Sequence, residues 1–234
     1  MGNETKRVVV VSGGAGGVGL AITHIFAAQG DHVFIVERES AQAQTEHLLN
    51  EHVHFVAGNV TDEASVIATM DAIQAQGGRL DVLVNVVGGY AAGQPVHELD
   101  ASTWDFMMQL NLRSAFLMSK HAARHMIPNQ WGRIINFSAR AARDTAANAA
   151  AYATSKAGVL ALTEVQAKEL LDLHITVNAV LPSIVDTPVN RQSMPHADFD
   201  RWPKGEEVAR VVRFLASDDA VLISGAGIPI YGLG

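Results

Sequence analysis

The sequence predicts an α/β fold, namely a doubly wound, Rossmann-like parallel sheet of about seven strands with helices on both faces. Short runs rich in Val and Ile alternate with longer segments of helical period along the whole chain. The short runs are almost continuously apolar, as expected for strands that are covered on both faces. A chain of 234 residues, 48% of them hydrophobic, suffices for one buried core, so a single domain over 1–234 is expected.

The elements follow from this alternation in chain order. The expected strands are 7–11, 32–36, 53–57, 82–86, 133–137, 176–181 and 227–230. Apolar residues recur with the helical period in the segments 18–29, 41–50, 64–76, 102–126, 152–171 and 205–215. The stretch 182–203 shows neither pattern. Irregular stretches of this length in compact domains are usually lids or binding loops.

The composition argues against several classes of protein. A formal net charge of −7, without a block of basic residues, argues against general nucleic-acid affinity. The chain has no cysteine, so it forms neither disulfides nor thiolate metal sites. Its first residues are polar, and no apolar stretch approaches the length of a membrane span. We therefore expect no signal peptide, no membrane partner and a cytoplasmic location.

A glycine-rich turn follows the first expected strand, with the sequence SGGAGGVG at 12–19. The unpaired N–H groups and the dipole of a helix N-terminus favour an anion, and glycines allow its close approach. The run fits two registers. One uses Gly14, Gly16 and Gly19, and the other uses Gly13, Gly17 and Gly19. Either register predicts a site for a dinucleotide pyrophosphate.

Glu37 ends the second expected strand, about 20 residues after the turn. A carboxylate at this place accepts hydrogen bonds from ribose hydroxyls and repels a 2′-phosphate. We therefore expect NAD(H) to be preferred and NADP(H) to be less favoured. The adjacent Arg38 is either a solvated surface residue or, if its side chain turns inward, a ligand of that phosphate.

A second motif, YATSK, lies far downstream at 152–156. Tyr152 and Lys156 are four residues apart and share one helix face. A neighbouring ammonium is expected to lower the pKa of Tyr152 from its usual value of about 10. Such a pair can give a proton to an oxygen or nitrogen while a hydride arrives at the adjacent carbon. The pattern alone is common in helices, but together with the glycine turn it predicts a nicotinamide-dependent oxidoreductase.

The chain resembles the short-chain dehydrogenase/reductase family over its full length. The resemblance rests on the turn glycines, NVVG at 85–88, Asn111 in NLRSAF, YATSK, and NAVLP at 178–182. It implies that Tyr152, Lys156 and Asn111 are catalytic, with Asn111 holding a water in a proton relay. It also implies that 182–203 is a substrate-side lid. The implied cofactor-binding residues are Ser12, Gly13, Gly17, Val18, Gly19, Glu37, Asn59, Val60, Asn85, Gly88, Tyr152, Lys156, Pro182, Ile184 and Thr187.

Three positions depart from the family pattern. Ser12 replaces a threonine, and Asn59 replaces an aspartate that contacts the adenine amino group. The family's catalytic serine aligns with Ala139 when no gap is introduced. Ser138 is one residue early, and a shift of one residue on a strand reverses the direction of a side chain. Ser138 therefore replaces the serine only if the loop carries a bulge.

The dihydropteridine reductases within this family also lack that serine. Their sequences resemble VGGYAAG at 87–93 and the long stretch 181–202, whereas Asn111 is typical of the wider family. The substrate is therefore either a quinonoid dihydropteridine or another carbonyl or imine. Candidate substrate contacts are Tyr90, Ala139 and Trp202. Trp202 could instead anchor the loop to the body of the domain.

Two further expectations concern partners and metals. Helices 102–126 and 152–171 carry many small and apolar residues, and the resemblance implies a homodimer or homotetramer formed through them. The pairs His121/His125 and His52/His54 lack a recognisable third ligand, so no metal is expected.

Three hypotheses about function follow from these observations. The first is an NADH-preferring reductase that acts on a small molecule with Tyr152 as proton donor. The alternative is a catalytically silent, NAD-binding sensor on the same fold. A purely structural oligomer would not require Glu37, the glycines and the tyrosine together.

Overall fold

The architecture is a seven-stranded parallel sheet with helices on both faces. The computed structural model describes residues 6–233. The strands run in the order β3-β2-β1-β4-β5-β6-β7. They are β1 (Val8–Ser12), β2 (His32–Glu37), β3 (Val53–Ala57), β4 (Val82–Asn85), β5 (Gly132–Phe137), β6 (Ile175–Pro182) and β7 (Gly227–Ile230). The predicted fold class is confirmed, and each predicted strand end is correct to within one residue.

Helices connect the strands in the order expected for a doubly wound sheet. Within the described part of the chain they are α1 (Gly17–Ala27), α2 (Gln42–Thr45), α3 (Glu63–Gly77), α4 (Ala101–Met107), α5 (Ser114–Met126), α6 (Ala150–Leu170), α7 (Pro188–Ser193) and α8 (Gly205–Leu215). A π-helical turn, Met108–Arg113, joins α4 to α5. The predicted helix 102–126 is therefore continuous but not uniformly α-helical.

The predicted helix 41–50 is wrong in length. Only α2 is α-helical there, and 3₁₀ turns flank it on both sides. The Thr45 hydroxyl donates to the carbonyl of Gln42 at 2.8 Å, and Asn50 Oδ1 accepts from the N–H groups of His52 and Val53. Such local side-chain bonds compete with helix continuation.

The stretch 182–203 is more regular than predicted. It contains α7 and a 3₁₀ turn at Phe199–Arg201. Thr187 caps α7, because its hydroxyl accepts from the N–H of Asn190 at 3.3 Å, and Pro188 occupies the first helical position. A threonine followed by proline is a known signal for a helix start, so the sequence did contain this information.

Two apolar layers hold the helices to the sheet. Val8 and Val10 face the layer that contains Met70 and Ile73 of α3 and Leu117 of α5. The alternate residues Val9 and Val11 face the opposite layer, which contains Ile22 and Phe26 of α1 together with Val208 and Val212 of α8. All four valines are at most 2% exposed. This double burial explains why the strands are apolar without alternation.

The strand order places a crevice at one edge of the sheet. β1 lies between β2 and β4, so the chain changes direction across the sheet at this point. The carboxyl ends of these strands carry Ser12, Glu37 and Asn85. Ligands of open α/β sheets bind at such a switch point. No helix among the described residues is long and apolar enough to cross a membrane.

Candidate active site

The glycine turn between β1 and α1 has tight backbone geometry. Gly13 and Gly17 have φ angles of +77° and +50°. A Cβ on Gly19 would lie 1.9 Å from the Gly13 carbonyl oxygen, so a side chain there would collide with the turn. A Cβ on Gly16 would meet no atom of residues 6–233 within 4 Å. These constraints favour the register of Gly13, Gly17 and Gly19.

The first turn of α1 lies beside the start of α7. Gly16 precedes α1 and has no side chain to cap it, and the first N–H groups of a helix lack intrahelical acceptors. A Cβ on Gly17 would lie 3.7 Å from Cγ2 of Thr187. Thr187 therefore lies beside the N-terminus of α1, the end of a helix that favours an anion.

A cavity of about 260 Å³ opens beside this turn, between the ends of β2 and β3. The lining residues come from the end of β2, from the segments after β2, β3 and β4, and from the π-helical turn. They are Val36, Glu37, Arg38, Ser40, Ala41, Gly58, Asn59, Val60, Thr61, Val87 and Leu110. The cavity thus contains three predicted cofactor ligands, Glu37, Asn59 and Val60.

Glu37 connects the end of β2 to the glycine turn. Its Oε1 accepts from the N–H of Ala15 at 3.4 Å. Burial raises the pKa of Glu37, and the hydrogen bond from Ala15 partly opposes this. The carboxylate therefore stands at the mouth of the cavity, where it can meet a hydroxyl donor.

The side-chain carbonyl of Asn59, a residue expected to bind the cofactor, is already engaged within its own turn. Its Oδ1 accepts from both the N–H and the hydroxyl of Thr61, at 3.1 and 2.8 Å. Both acceptor positions of that oxygen are therefore in use. An adenine contact by Asn59 requires this turn to open or its amide nitrogen to be used.

Tyr152 and Lys156 share one face of α6, but their pKa relationship differs from the expectation. Burial, with a smaller effect from Tyr90, raises the pKa of Tyr152 to about 12. Lys156 Nζ donates to the Phe137 carbonyl at 2.8 Å, and burial lowers the pKa of Lys156 to about 8. The expected lowering of the Tyr152 pKa is wrong for this structure, because desolvation of the phenol dominates.

Asn111 lies buried in the π-helical turn and clamps a loop. Its Oδ1 accepts from the N–H of Gly89 at 2.8 Å, and its Nδ2 donates to the Gly89 carbonyl at 3.1 Å. A second Nδ2 bond reaches the Ser155 hydroxyl at 3.0 Å. A Cβ on Gly88 would lie 2.8 Å from Asn111 Oδ1 and 3.0 Å from Lys156 Nζ. The glycine therefore allows these two groups to approach the loop.

The Ser138 hydroxyl is used in a structural hydrogen bond and does not take the place of the family's catalytic serine. Its hydroxyl donates to the Lys156 carbonyl at 2.7 Å, and both residues are buried. Ala139 follows with extended backbone, φ −159° and ψ 162°. A strand-like backbone sends consecutive side chains to opposite sides. The geometry agrees with the gapless alignment and leaves Ala139 at the family serine's position.

The side chain of Asn85, a residue expected to bind the cofactor, lies in the core, so its backbone is the part left for that role. Its Nδ2 donates to the Ser119 hydroxyl at 2.9 Å and to Asn136 Oδ1 at 2.8 Å. Asn136 in turn donates to the Thr163 hydroxyl at 3.0 Å. A buried side-chain amide turns toward groups with which it can form hydrogen bonds. For this network those groups lie on α5, β5 and α6.

Two aromatic candidates have different surroundings. The ring of Tyr90 is 71% exposed and meets the ring of Tyr152 edge to face, with 4.9 Å between centroids. Trp202 packs against Phe199 with 5.0 Å between centroids. Tyr90 therefore stands at the tyrosine of the YATSK motif, whereas the contact of Trp202 with Phe199 lies within the stretch 182–203 itself.

The stretch 182–203 is closed at its base by an ion cluster that the sequence analysis missed. The Asp186 carboxylate binds Arg191 at 2.5 and 2.8 Å and Lys204 at 2.7 Å. Hydrogen bonds from both cations lower the pKa of Asp186. The N–H of Asp186 also donates to the Pro203 carbonyl at 2.9 Å. Pro182 ends β6 before this cluster, and Ile184 is 42% exposed.

The histidine pairs lie outside the crevice. His121 Nε2 donates to Glu63 Oε1 at 3.0 Å, and the rings of His32 and His54 stack with 5.7 Å between centroids. Within residues 6–233 no group of three or more His, Asp or Glu side chains is arranged to hold a metal ion. Sequence reasoning also missed Ser155, although this residue lies inside the YATSK motif.

Comparison with known proteins agrees with this geometry. Residues 7–198 match the profile described as short chain dehydrogenase. Cis-4-hydroxycyclohexanecarboxylate dehydrogenase of Sinomonas cyclohexanicum is 36% identical over 238 residues, which cover 97% of this chain and 96% of that protein. The 3-oxoacyl-(acyl-carrier-protein) reductase FabG of Thermotoga maritima is 31% identical, covering 97% of this chain and 96% of that protein.

A solved structure is also similar. The structure of ElxO with NADP bound has a TM-score of 0.91 and 27% sequence identity, and covers 97% of this chain and 98% of that chain.

The buried Lys156 amine predicts a rise of stability with pH. Because burial lowers the pKa of Lys156 from 10.5 to about 8, the unfolded chain holds more protons than the folded protein between these values. The free energy of unfolding should therefore rise with pH over this window through this group, whereas below it both states are protonated and the burial penalty is complete.

Replacing Lys156 by Met retains most of the side-chain volume and removes the titrating amine. Urea denaturation of both proteins from pH 7 to pH 11 measures the effect. The free energy of unfolding of the variant, relative to the original protein, should fall as pH rises through the window. Parallel pH profiles would contradict the prediction.

Proposed function

Because the chain belongs to the short-chain dehydrogenase family, we propose that it is an NAD(P)H-dependent oxidoreductase with Tyr152 as proton donor. The observation that carries the proposal is the convergence of Lys156 and Asn111 on Gly88, within 3.0 Å of the position of a Cβ. A Cβ on Gly13 would lie 3.2 Å from the N–H nitrogen of Val87. The glycine turn and the polar side chains are therefore contiguous.

The residues present fit a dinucleotide. The turn leaves no room for a side chain at Gly19, and the adjoining cavity has a carboxylate at its mouth and Val60 and Leu110 on its walls. The backbone of 16–19 would hold the pyrophosphate, Glu37 the adenosine ribose, and Lys156 and Thr187 the nicotinamide end. The chemistry supplied by a bound, reduced nicotinamide is the transfer of a hydride to the substrate.

The Tyr152 hydroxyl completes the reduction. With a pKa of about 12, this group is protonated at neutral pH and can act as a donor. The proton passes from Tyr152 Oη to the substrate oxygen or nitrogen as the adjacent carbon gains the hydride, which gives an alcohol or an amine. Lys156 lies one helical turn further along the same face of α6, where this proposal assigns it to the nicotinamide end.

The substrate side favours a ring-shaped molecule with polar groups of its own. Ala139 has no hydroxyl, and the Ser138 hydroxyl is bonded to the Lys156 carbonyl. The exposed ring of Tyr90 offers an apolar surface next to Tyr152. A quinonoid dihydropteridine meets both conditions, and so does a cyclic ketone or imine. The name of the relative from Sinomonas cyclohexanicum, a hydroxycyclohexanecarboxylate dehydrogenase, also supports a cyclic substrate.

The sensor alternative has less support. A silent nucleotide-binding protein would not need a buried Lys156 beside a protonated Tyr152, since burying an amine costs stability. The two relatives named above carry the names of a dehydrogenase and a reductase.

The proposal also includes a homodimer or homotetramer and a lid over the substrate. Exposed apolar side chains occur on the helices expected to pack against a twofold mate, with Phe106 at 55%, Phe116 at 40% and Val165 at 53% exposure. We assign the stretch 182–203 to the substrate-side lid, with Asp186 and Lys204 at its base.

Substitution of Tyr152 by Phe tests the proton donor. It removes the hydroxyl and keeps the ring, so turnover should fall by roughly 10²–10⁴, the range for a positioned general acid. NADH binding, followed by fluorescence, should change little. NADH oxidation should be assayed with a panel of quinonoid pteridines, cyclic ketones and imines. Full activity of the variant would exclude the mechanism, and no turnover of any substrate by the original protein would favour the sensor.

Cofactor preference depends on the charge of Glu37. We expect NADH to bind about tenfold or more tightly than NADPH, equivalent to about 1.4 kcal/mol, because the carboxylate repels the 2′-phosphate. Glu37→Gln should narrow this difference by strengthening NADPH binding. The matched control is Arg38→Ala, which should leave NADH binding unchanged. NADP is bound in the ElxO structure, so tighter binding of NADPH is the outcome that would assign Arg38 the dominant role.

Limited proteolysis tests the lid. Cleavage within 182–203 should slow when NADH and a substrate analogue are added together, because closure buries backbone that is otherwise accessible. Equal cleavage rates with and without these ligands would contradict a lid.

A further inference from the structure

Ser155 closes a ring of contacts around Tyr152. Its side chain is fully buried, and its hydroxyl donates to the Tyr152 carbonyl at 2.8 Å. The Ser155 hydroxyl oxygen also accepts from Asn111 Nδ2 at 3.0 Å. Asn111 in turn forms hydrogen bonds with the backbone N–H and carbonyl of Gly89. The aromatic side chain of the next residue, Tyr90, packs against that of Tyr152. The ring of contacts thus joins α6, the π-helical turn and the loop after β4.

The position of Tyr90 relative to Tyr152 depends on this ring. The side chain of Tyr90 is mostly exposed. Its position therefore depends mainly on the hydrogen bonds between Asn111 and the backbone of the preceding residue, Gly89. Those bonds depend on the orientation of the Asn111 amide, whose Nδ2 uses Ser155 as its second acceptor. Removal of the hydroxyl would leave Asn111 Nδ2 with the Gly89 carbonyl and the weak sulfur acceptor of Met107 at 3.7 Å, so a buried N–H would lose its strong acceptor or the amide would rotate. Rotation would release Gly89.

We propose that Ser155 is a positioning residue, which fixes the loop 88–90 through Asn111 and thereby orients the substrate between Tyr90 and Tyr152. This rests on the proposed function, since it assigns the substrate to that place. Small errors in the placement of a substrate relative to a proton donor reduce turnover strongly. Ser155 itself need not touch the substrate.

Thr163 provides a matched control on the same helix. Its hydroxyl is also fully buried, donates to a helix carbonyl at 2.8 Å (that of Val159) and accepts from an asparagine amide at 3.0 Å (that of Asn136). The two hydroxyls therefore have equivalent structural roles, but Thr163 contacts the core network and Ser155 contacts the site. A merely structural role predicts similar behaviour for Ser155→Ala and Thr163→Val.

Hydrogen exchange tests the proposal without any activity. In Ser155→Ala the amide of Gly89 should exchange about tenfold faster or more, because its acceptor on Asn111 is no longer fixed. In Thr163→Val the exchange of peptides covering 87–93 should match the original protein. Unchanged exchange in Ser155→Ala, or equal acceleration in both variants, would overturn the proposal. This measurement stands even if the proposed function fails.

Kinetics test the consequence for turnover. Ser155→Ala should lower kcat by about tenfold or more, with the Kd for NADH within about twofold, since the turn of 12–19 is untouched. Thr163→Val should retain kcat. In a Tyr90→Ala background, Ser155→Ala should cause little further loss, because both changes act through the same loop. Fully multiplicative losses, or unchanged kcat in Ser155→Ala, would overturn the positioning role.

Discussion

Two hydrogen bonds between the carboxyl end of β5 and Lys156 hold α6 against the sheet. The Lys156 amine donates to the carbonyl of Phe137, and the hydroxyl of the next residue, Ser138, donates to the carbonyl of Lys156. Because all four groups are buried, water does not compete with them, and each bond is sensitive to small displacements. The pair fixes both the translation and the rotation of α6. Tyr152, one turn earlier on the same face, takes its place from this contact.

A second network of buried polar side chains connects β4 and β5 to α5 and α6 in the core. Asn85 and Asn136 are register partners on β4 and β5, and their side chains bind each other. Ser119 and Thr163 connect them to α5 and α6. Asn85 Oδ1 has no hydrogen-bond partner among residues 6–233, which costs stability. Such a network favours one register over its neighbours, since a slip would leave several amides unpaired.

Much of the fold was predictable because it depends on local patterns. Apolar runs without alternation located all seven strands, and Glu37 and the glycine turn followed from their places at strand ends. The direction of the Asn85 side chain was not predictable, because its partners come from three elements distant in sequence. The pKa of Tyr152 was also missed, since burial is a property of the folded chain. Thr187 and Pro188, in contrast, carried a helix-start signal that pattern periodicity overlooked.

The π-helical turn at Met108–Arg113 has a consequence for the surface of the long helix. A π-turn accommodates roughly one residue more than α-helical geometry needs, which shifts the angular phase of everything after it by about 100°. The outward faces of α4 and α5 therefore do not form one straight stripe. A partner that packs along this helix would contact two faces that are rotated relative to each other. Grafting Asn111 onto another scaffold would require the extra residue to be carried along with it.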